Sequence, residues 1–309
     1  MERTTERKII LITQKTRLEQ LICRYNTEGM AQFYIESRGG DFSDYRAEHE
    51  TYRSAVETAG QQLAQFGRVT VIDRENVPAY LFGQDDIVVA AGRDGLIANT
   101  LKYLDAQPLI GVNPDPKRWD GVLLPFTVRD LGQIMPEVLK EKRAVRSITL
   151  AQAALSDGQT LCAVNDLFIG PRTHTSAQYE IRCGGKAEVQ SSSGIIVSTG
   201  LGATGWLKSI LAGAAGIAHC FGRETPEIRD FSWDADYLYY TVREPYPSRT
   251  TGTEIVFGKI EAGSSMKLIS MMAENGVIFS DGIEQDFLAF NAGTEAEITV
   301  SERKGQLVI

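Results

Sequence analysis

Gly92-Arg93-Asp94-Gly95 sits between the apolar run 86–91 and a helical pattern over 96–104. That places it at the carboxyl end of a strand, where ligands bind in open α/β sheets. Amide N–H groups at a helix start favour a phosphate, and glycines let it come close. A carboxylate among phosphates repels them unless it binds a metal ion or takes a proton. Asp94 is therefore a candidate general base or metal partner. The same four residues also suit a plain strand-to-helix turn capped by Asp94, and the tetrapeptide alone leaves both readings open.

Three further stretches carry usable groups. Asn165-Asp166 follows the apolar run 161–164; an amide beside a carboxylate can hold a diol or a purine edge, and both residues also favour ordinary turns. Residues 193–209 pass from an apolar strand, Ile195-Ile196-Val197, through a Gly, Ser and Thr loop into a helix start at 207–212. Gly200, Gly202 and Gly205 lie within six residues, so either the chain turns tightly or something approaches its backbone closely. Ser198, Thr199, Thr204 and Ser209 offer hydroxyls there. Trp206 offers a flat face for a nucleobase or nicotinamide, or equally a core side chain. Ser280-Asp281-Gly282 reads first as a hairpin turn.

The elements that must position these groups fall into two patterns. Apolar runs at 8–13, 69–72, 86–91 and 108–112 alternate with helical patterns, including 17–38 and a long helix over 45–66. This predicts a parallel sheet covered on both faces. Tyr52, Ala55, Val56, Ala59 and Leu63 form one face of the long helix. After about residue 140 the segments shorten and alternate: 146–150, 178–182, 237–242 and 297–300. Ser156-Asp157-Gly158, Gly184-Gly185 and Glu274-Asn275-Gly276 separate such segments, which predicts an antiparallel β-rich domain. The expected organisation is an α/β nucleotide-binding domain over 1–140 and a β-rich substrate-binding domain over 141–290. A C-terminal strand and tail, 291–309, can return to the N-terminal domain.

Composition narrows the function classes. The 309 residues carry a net charge of −8, with 43% hydrophobic and 23% charged residues. This fits a globular protein and argues against a nucleic-acid partner, which needs a positive field. No stretch approaches the roughly 18 consecutive apolar residues of a membrane span. The charged first residues do not read as a secretory signal. Cys23, Cys162, Cys183 and Cys220 are scattered, without a CxxC pair or ligand spacing to His49, His174 or His219. They are expected to be reduced, buried thiols in a cytoplasmic protein.

Taken in order, the motifs resemble the NAD kinase family. Gly92-Arg93-Asp94-Gly95 stands where that family has Gly-Gly-Asp-Gly, and Asn165-Asp166 where it has Asn-Glu. The run Ser193–Trp206 matches its Asp-Gly, apolar strand and Ser-Thr-Pro-Thr-Gly-Ser-Thr-Ala-Tyr. Gly111-Val112-Asn113 through Gly121-Val122-Leu123 resembles its Gly-Ile-Asn to Gly-Phe-Leu segment, and Asp281-Gly282 its late Asp-Gly. The resemblance covers about residues 85–309. It implies an α/β N-terminal domain plus a β-rich C-terminal domain, and a homodimer or homotetramer. The implied activity is phosphoryl transfer from ATP or a related donor, with a divalent metal such as Mg²⁺, to the 2′-hydroxyl of the adenosine ribose of NAD, giving NADP. By the same resemblance, Asp94 orients or deprotonates that hydroxyl, and Gly92, Arg93 and Gly95 meet the donor phosphates. Asn165, Asp166, Thr204, Gly205, Trp206 and Ser209 line the acceptor pocket.

The departures from the family pattern mark where this chain differs. Arg93 replaces a glycine; if that position had positive φ, a non-glycine residue would cost on the order of 1–2 kcal/mol. Asp166 is a methylene shorter than Glu. Ser193 replaces an Asp, Gly200 a Pro, Trp206 a Tyr and Leu96 a Thr. Residues 15–60 lie outside the usual core, either as an added wall on the pocket or as surface helices packed by their aromatics. The alternative functions are a catalytically weak dinucleotide-binding paralogue, or a kinase of another nucleoside, nucleotide or lipid.

Overall fold

The computed structural model describes residues 4–225 and 231–309. The chain forms two compact units, Met1–Arg146 with Gln306–Ile309, and Ser147–Gly305. In the first, β1 (Lys8–Thr13), β2 (Arg68–Asp73), β3 (Ile87–Ala91) and β4 (Pro108–Asn113) form a parallel sheet in the order β2-β1-β3-β4. The short β5 (Phe126–Thr127) pairs with the end of β4, and Gln306 and Leu307 pair with its start. Every residue of β3 is buried, as a central parallel strand requires.

Helices α1 (Arg17–Tyr25), α2 (Glu28–Glu36) and α3 (Phe42–Ala64) follow β1. The periodic stretch 17–38 is thus two helices. Asn26 takes a left-handed φ of 68° that ends α1, and the Thr27 hydroxyl then accepts from the Met30 amide to start α2. Asn tolerates that conformation because its side chain is short and polar. The three helices share a small core of Leu18, Ala31 and Phe42. Ala59 and Leu63 of α3 also pack with Leu131, Ile134 and Met135 of α5 (Leu131–Leu139) on the strand residues Ile9, Leu11, Val89 and Ile110. Between β3 and β4 lies α4 (Asp94–Leu101), buried from Leu96 through Leu101.

The strands that follow are β6 (Val145–Leu155), β7 (Thr160–Ala163), β8 (Asp166–Pro171), β9 (Ala177–Cys183), β10 (Lys186–Ser192), β11 (Ile195–Ser198), β12 (Tyr237–Val242), β13 (Phe257–Glu261), β14 (Met266–Ser270), β15 (Gly276–Ser280), β16 (Ile283–Ala289) and β17 (Glu295–Val308). In the second unit one antiparallel sheet runs β13-β12-β11-β8-β15-β16. The other runs β10-β9-β14-β17, with β6 on β17 and β7 on β6. Leu167, Ile169, Ile195 and Val197 from the first share one core with Tyr179, Ile181, Leu268 and Ile298 from the second. Alternate residues of each strand enter it, the period read from the sequence. α6 (Trp206–Cys220) follows β11.

All four cysteines are free. Cys162 is buried, but Cys23 and Cys220 are exposed, contrary to the expectation of buried thiols, because they lie on solvent-facing sides of α1 and α6. Among the described residues no helix is long and apolar enough to cross a membrane.

Candidate active site

In the first unit, Asp94 is the first residue of α4, and Arg93 is its N-cap without a side-chain capping bond. The Asp94 carboxylate does not cap the helix. It accepts from the amides of Leu123 at 2.7 Å and Val122 at 3.3 Å. The segment that supplies those amides is set by Asn113 and Gly111. Asn113 Nδ2 donates to the Trp119 carbonyl at 2.9 Å, and its Oδ1 accepts from the Asp115 amide at 3.1 Å. Gly111 passes so close to the Leu123 carbonyl that any side chain there would collide with it. Gly111, Asn113 and Asp94 thus form one device that sets the segment around Leu123 against the start of α4.

Arg93 has φ −104° and ψ 167°, an extended conformation, so arginine carries no left-handed strain at this position. Its guanidinium donates to Glu48 on α3 at 3.0 Å and lies 4.7 Å over the Trp119 ring. Glu48 also accepts from Arg17 on α1. Arg17 binds Asp44 at 2.7 Å, and Asp44 binds Arg118 at 2.7 Å. Those two guanidiniums, Arg118 first, hold the Asp44 carboxyl down at about 2. A Cβ on Gly92 would press on Leu96, whereas the space beside Gly95 is open. Residues 15–60 are therefore more than surface helices packed by aromatics, since their charged side chains grip the glycine loop.

In the second unit, Asp281 and Gly282 form the hairpin turn between β15 and β16, with φ of 54° and 71°. The Asp281 carboxylate points back at the Asn165-Asp166 junction. It accepts from the amides of Val164 at 3.1 Å, Asn165 at 2.6 Å and Asp166 at 3.4 Å. From the other side, the Thr199 hydroxyl donates to the Val164 carbonyl at 2.5 Å and accepts from the Gly202 amide at 3.2 Å. Burial, and then the charge of Asp281, push the Asp166 carboxyl up to about 7. Near neutral pH it is available as a protonated donor as well as an acceptor.

Asn165, Asp166, Thr204, Gly205 and Trp206 line one cavity of about 340 Å³ together with Leu201, Gly202, Asp281 and Gly282. Ser209 is not in that lining; it is exposed one turn into α6, and its hydroxyl donates to the Gly205 carbonyl at 3.4 Å. Trp206 is half-buried, stacked parallel to Phe168 with centroids 5.8 Å apart, and lies under the Arg243 guanidinium. Two of the three loop glycines prove to be spacers between backbones. A side chain on Gly202 would strike the Asn165 carbonyl, and one on Gly200 the Ser232 carbonyl. None of the three has positive φ.

No protein-family model matches the sequence, and no curated protein matches it at the sequence level. Solved structures do match. An NAD kinase from Archaeoglobus fulgidus in complex with ATP matches with a TM-score of 0.57 at 16% identity, over 97% of this chain and 93% of that one. Yeast NADH kinase complexed with NADH matches with a TM-score of 0.59 at 15% identity, over 98% of this chain and 84% of that one. The fold is that of the NAD kinases.

Within this NAD kinase-like fold, three groups have contacts that the sequence did not show. Asp281 looked like a turn residue, and it is one, but its carboxylate also organises the residues before β8. Phe168, which backs Trp206, carried no signal in the sequence. Glu48 had no local signal at all, because it meets Arg93 from 45 residues away.

Proposed function

We propose that the protein is a phosphotransferase of the NAD kinase type, transferring the terminal phosphoryl group of ATP or a related donor to the adenosine ribose 2′-hydroxyl of NAD or NADH. The observation that carries this reading is the cavity in which Asn165, Asp166, Thr204, Gly205 and Trp206 meet. It joins an amide–carboxylate pair able to hold a diol or a purine edge to hydroxyls and an indole face, on a fold shared with solved kinases of NAD and NADH.

In this account Asp166 and Asn165 hold the adenosine, and Trp206 closes the pocket, with Ser209 on the adjoining turn of α6. Asp94 orients the 2′-hydroxyl. The oxygen bonds to phosphorus, the bridging P–O bond to the donor breaks, and the hydroxyl proton passes to Asp94 or to water. Arg93, Gly92 and the open backbone at Gly95 receive the donor phosphates. Positioning and electrostatics supply most of the catalysis in such transfers, so a single carboxylate with an array of donors suffices. Among the described residues no group of three or more His, Cys, Asp or Glu could hold a metal ion. Mg²⁺ binds through one or two carboxylates together with substrate phosphates; Asp94 would be the carboxylate, and the ion would neutralise phosphate charge. A cytoplasmic homodimer or homotetramer is the expected setting.

The test is to incubate the purified protein with Mg²⁺ and ATP, or polyphosphate, and with NAD, NADH, nucleosides or diacylglycerol, and to identify the phosphorylated product. NADP or NADPH is expected. Product from a nucleoside or lipid alone would move the reading to another kinase, and tight dinucleotide binding without any product would make the protein a sensor.

A further inference from the structure

One buried carboxylate ties α1 and α3 to the glycine loop. Glu48 has a side chain only 3% exposed, and it is bracketed by the guanidiniums of Arg17 and Arg93. A carboxylate withdrawn from water needs such pairing to remain charged. The two arginines are not equivalent. Arg17 is held a second time by Asp44 and lies 4.4 Å over the Tyr45 ring. Arg93 is 44% exposed and gives Glu48 one of the five N–H groups that a guanidinium carries. It also lies over the Trp119 ring, 4.7 Å from the centroid. An anion approaching the start of α4 from solvent meets the outer edge of Arg93, while Glu48 lies sealed on its inner side.

We propose that Glu48 is an internal counter-ion of the donor site: it orients the Arg93 guanidinium toward the donor phosphates and, by its charge, restrains how tightly they bind. The inference rests on the phosphotransfer reading above and assigns α1–α3 a share in donor recognition. The geometry separates the two effects. A glutamine at 48 keeps an oxygen to accept from Arg93 but withdraws the negative charge. Withdrawing the negative charge that pairs with the Arg93 guanidinium leaves more of its positive charge for an anion and raises anion affinity. Glu48 acts only through Arg93, so that gain requires the arginine.

Calorimetric titration of the full chain with inorganic tripolyphosphate and with ATP tests this. Glu48→Gln is expected to bind both about fivefold tighter than wild type. Arg93→Ala is expected to bind at least fivefold more weakly, and the double variant no better than Arg93→Ala. Arg93→Ala leaves Arg17 on Glu48, so the carboxylate stays paired and the variant folds. Should Glu48→Gln not fold, Trp119 reports instead. Tripolyphosphate drawing on the Arg93 guanidinium must change the indole emission of wild type, and the change must vanish in Trp119→Phe. Unchanged or weaker binding by Glu48→Gln, a gain that survives Arg93→Ala, or an emission change indifferent to Trp119 would each overturn the proposal. If wild type binds tripolyphosphate and ATP and Glu48→Gln does not tighten them, this inference alone falls. If neither ligand binds wild type or any variant, the phosphotransfer reading falls with it.

Discussion

Replacing Asp166 by asparagine isolates the electrostatic cost of the cavity. Asp166 is 8% exposed and faces the Asp281 carboxylate, and its carboxyl is raised from 3.8 to about 7. The native state therefore binds a proton more tightly than the unfolded chain does. Below about pH 4 both states are protonated and the site carries no ionisation cost. As pH rises from about 4 to about 7 the unfolded chain releases the proton first, so stability falls; above about 7 the loss is complete. A shift of about three units at about 1.4 kcal/mol each sets the loss at about 4 kcal/mol. Asp166→Asn keeps the shape and removes the titration. Urea unfolding of both proteins across about pH 4 to 8 should give similar stabilities at the acid end. The variant should be more stable by about 2–4 kcal/mol at the alkaline end. Taking the difference between the two proteins cancels the titrating groups that do not interact with Asp166. Parallel pH profiles, or a variant less stable at pH 8 than at pH 4 relative to wild type, would refute the reasoning.

Other perturbations follow from the same geometry. Asp281→Ala removes the acceptor of the Val164, Asn165 and Asp166 amides, and hydrogen bonds to a charged group are worth about 1.5–3 kcal/mol; denaturant unfolding should show a loss of about that size. Gly202→Ala drives a methyl group into the Asn165 carbonyl and should cost about 1–3 kcal/mol. By contrast Gly95→Ala meets nothing within 4 Å, so its melting curve should reveal a change of less than about 1 kcal/mol. Trp206→Phe keeps an aromatic ring against Phe168 and should abolish most of the quenching of tryptophan emission by bound NAD, with little change in stability.

How much was legible depended on distance along the chain. The buried β3 run, the long α3 and the alternating strands of the second unit follow from local periodicity, which burial on one or both faces imposes directly. The break at Asn26–Thr27 was not read, although Asn suits a left-handed end and Thr a new cap, because continuous helical spacing across it masked the signal. The glycines at 111, 200 and 202 were visible as glycines. Their cause was not, because each makes room for a backbone carbonyl brought in by another segment: Leu123, Ser232 and Asn165. The Arg93–Glu48 pair and the Asp281 turn have the same character. Their partners lie 45 and more than 100 residues away, and no local pattern encodes such a meeting.

Asp94 is where the account is most exposed, since its carboxylate sits at the start of α4 and is assigned the acceptor hydroxyl. The direct measurement is NADP formation from NAD, Mg²⁺ and ATP by wild type and by Asp94→Asn, with unfolding curves recorded on the same preparations. An asparagine can still accept one backbone N–H, so the variant should fold, bind NAD within a few-fold of wild type, and lose turnover by two orders of magnitude or more. Full turnover by a folded Asp94→Asn would contradict the account.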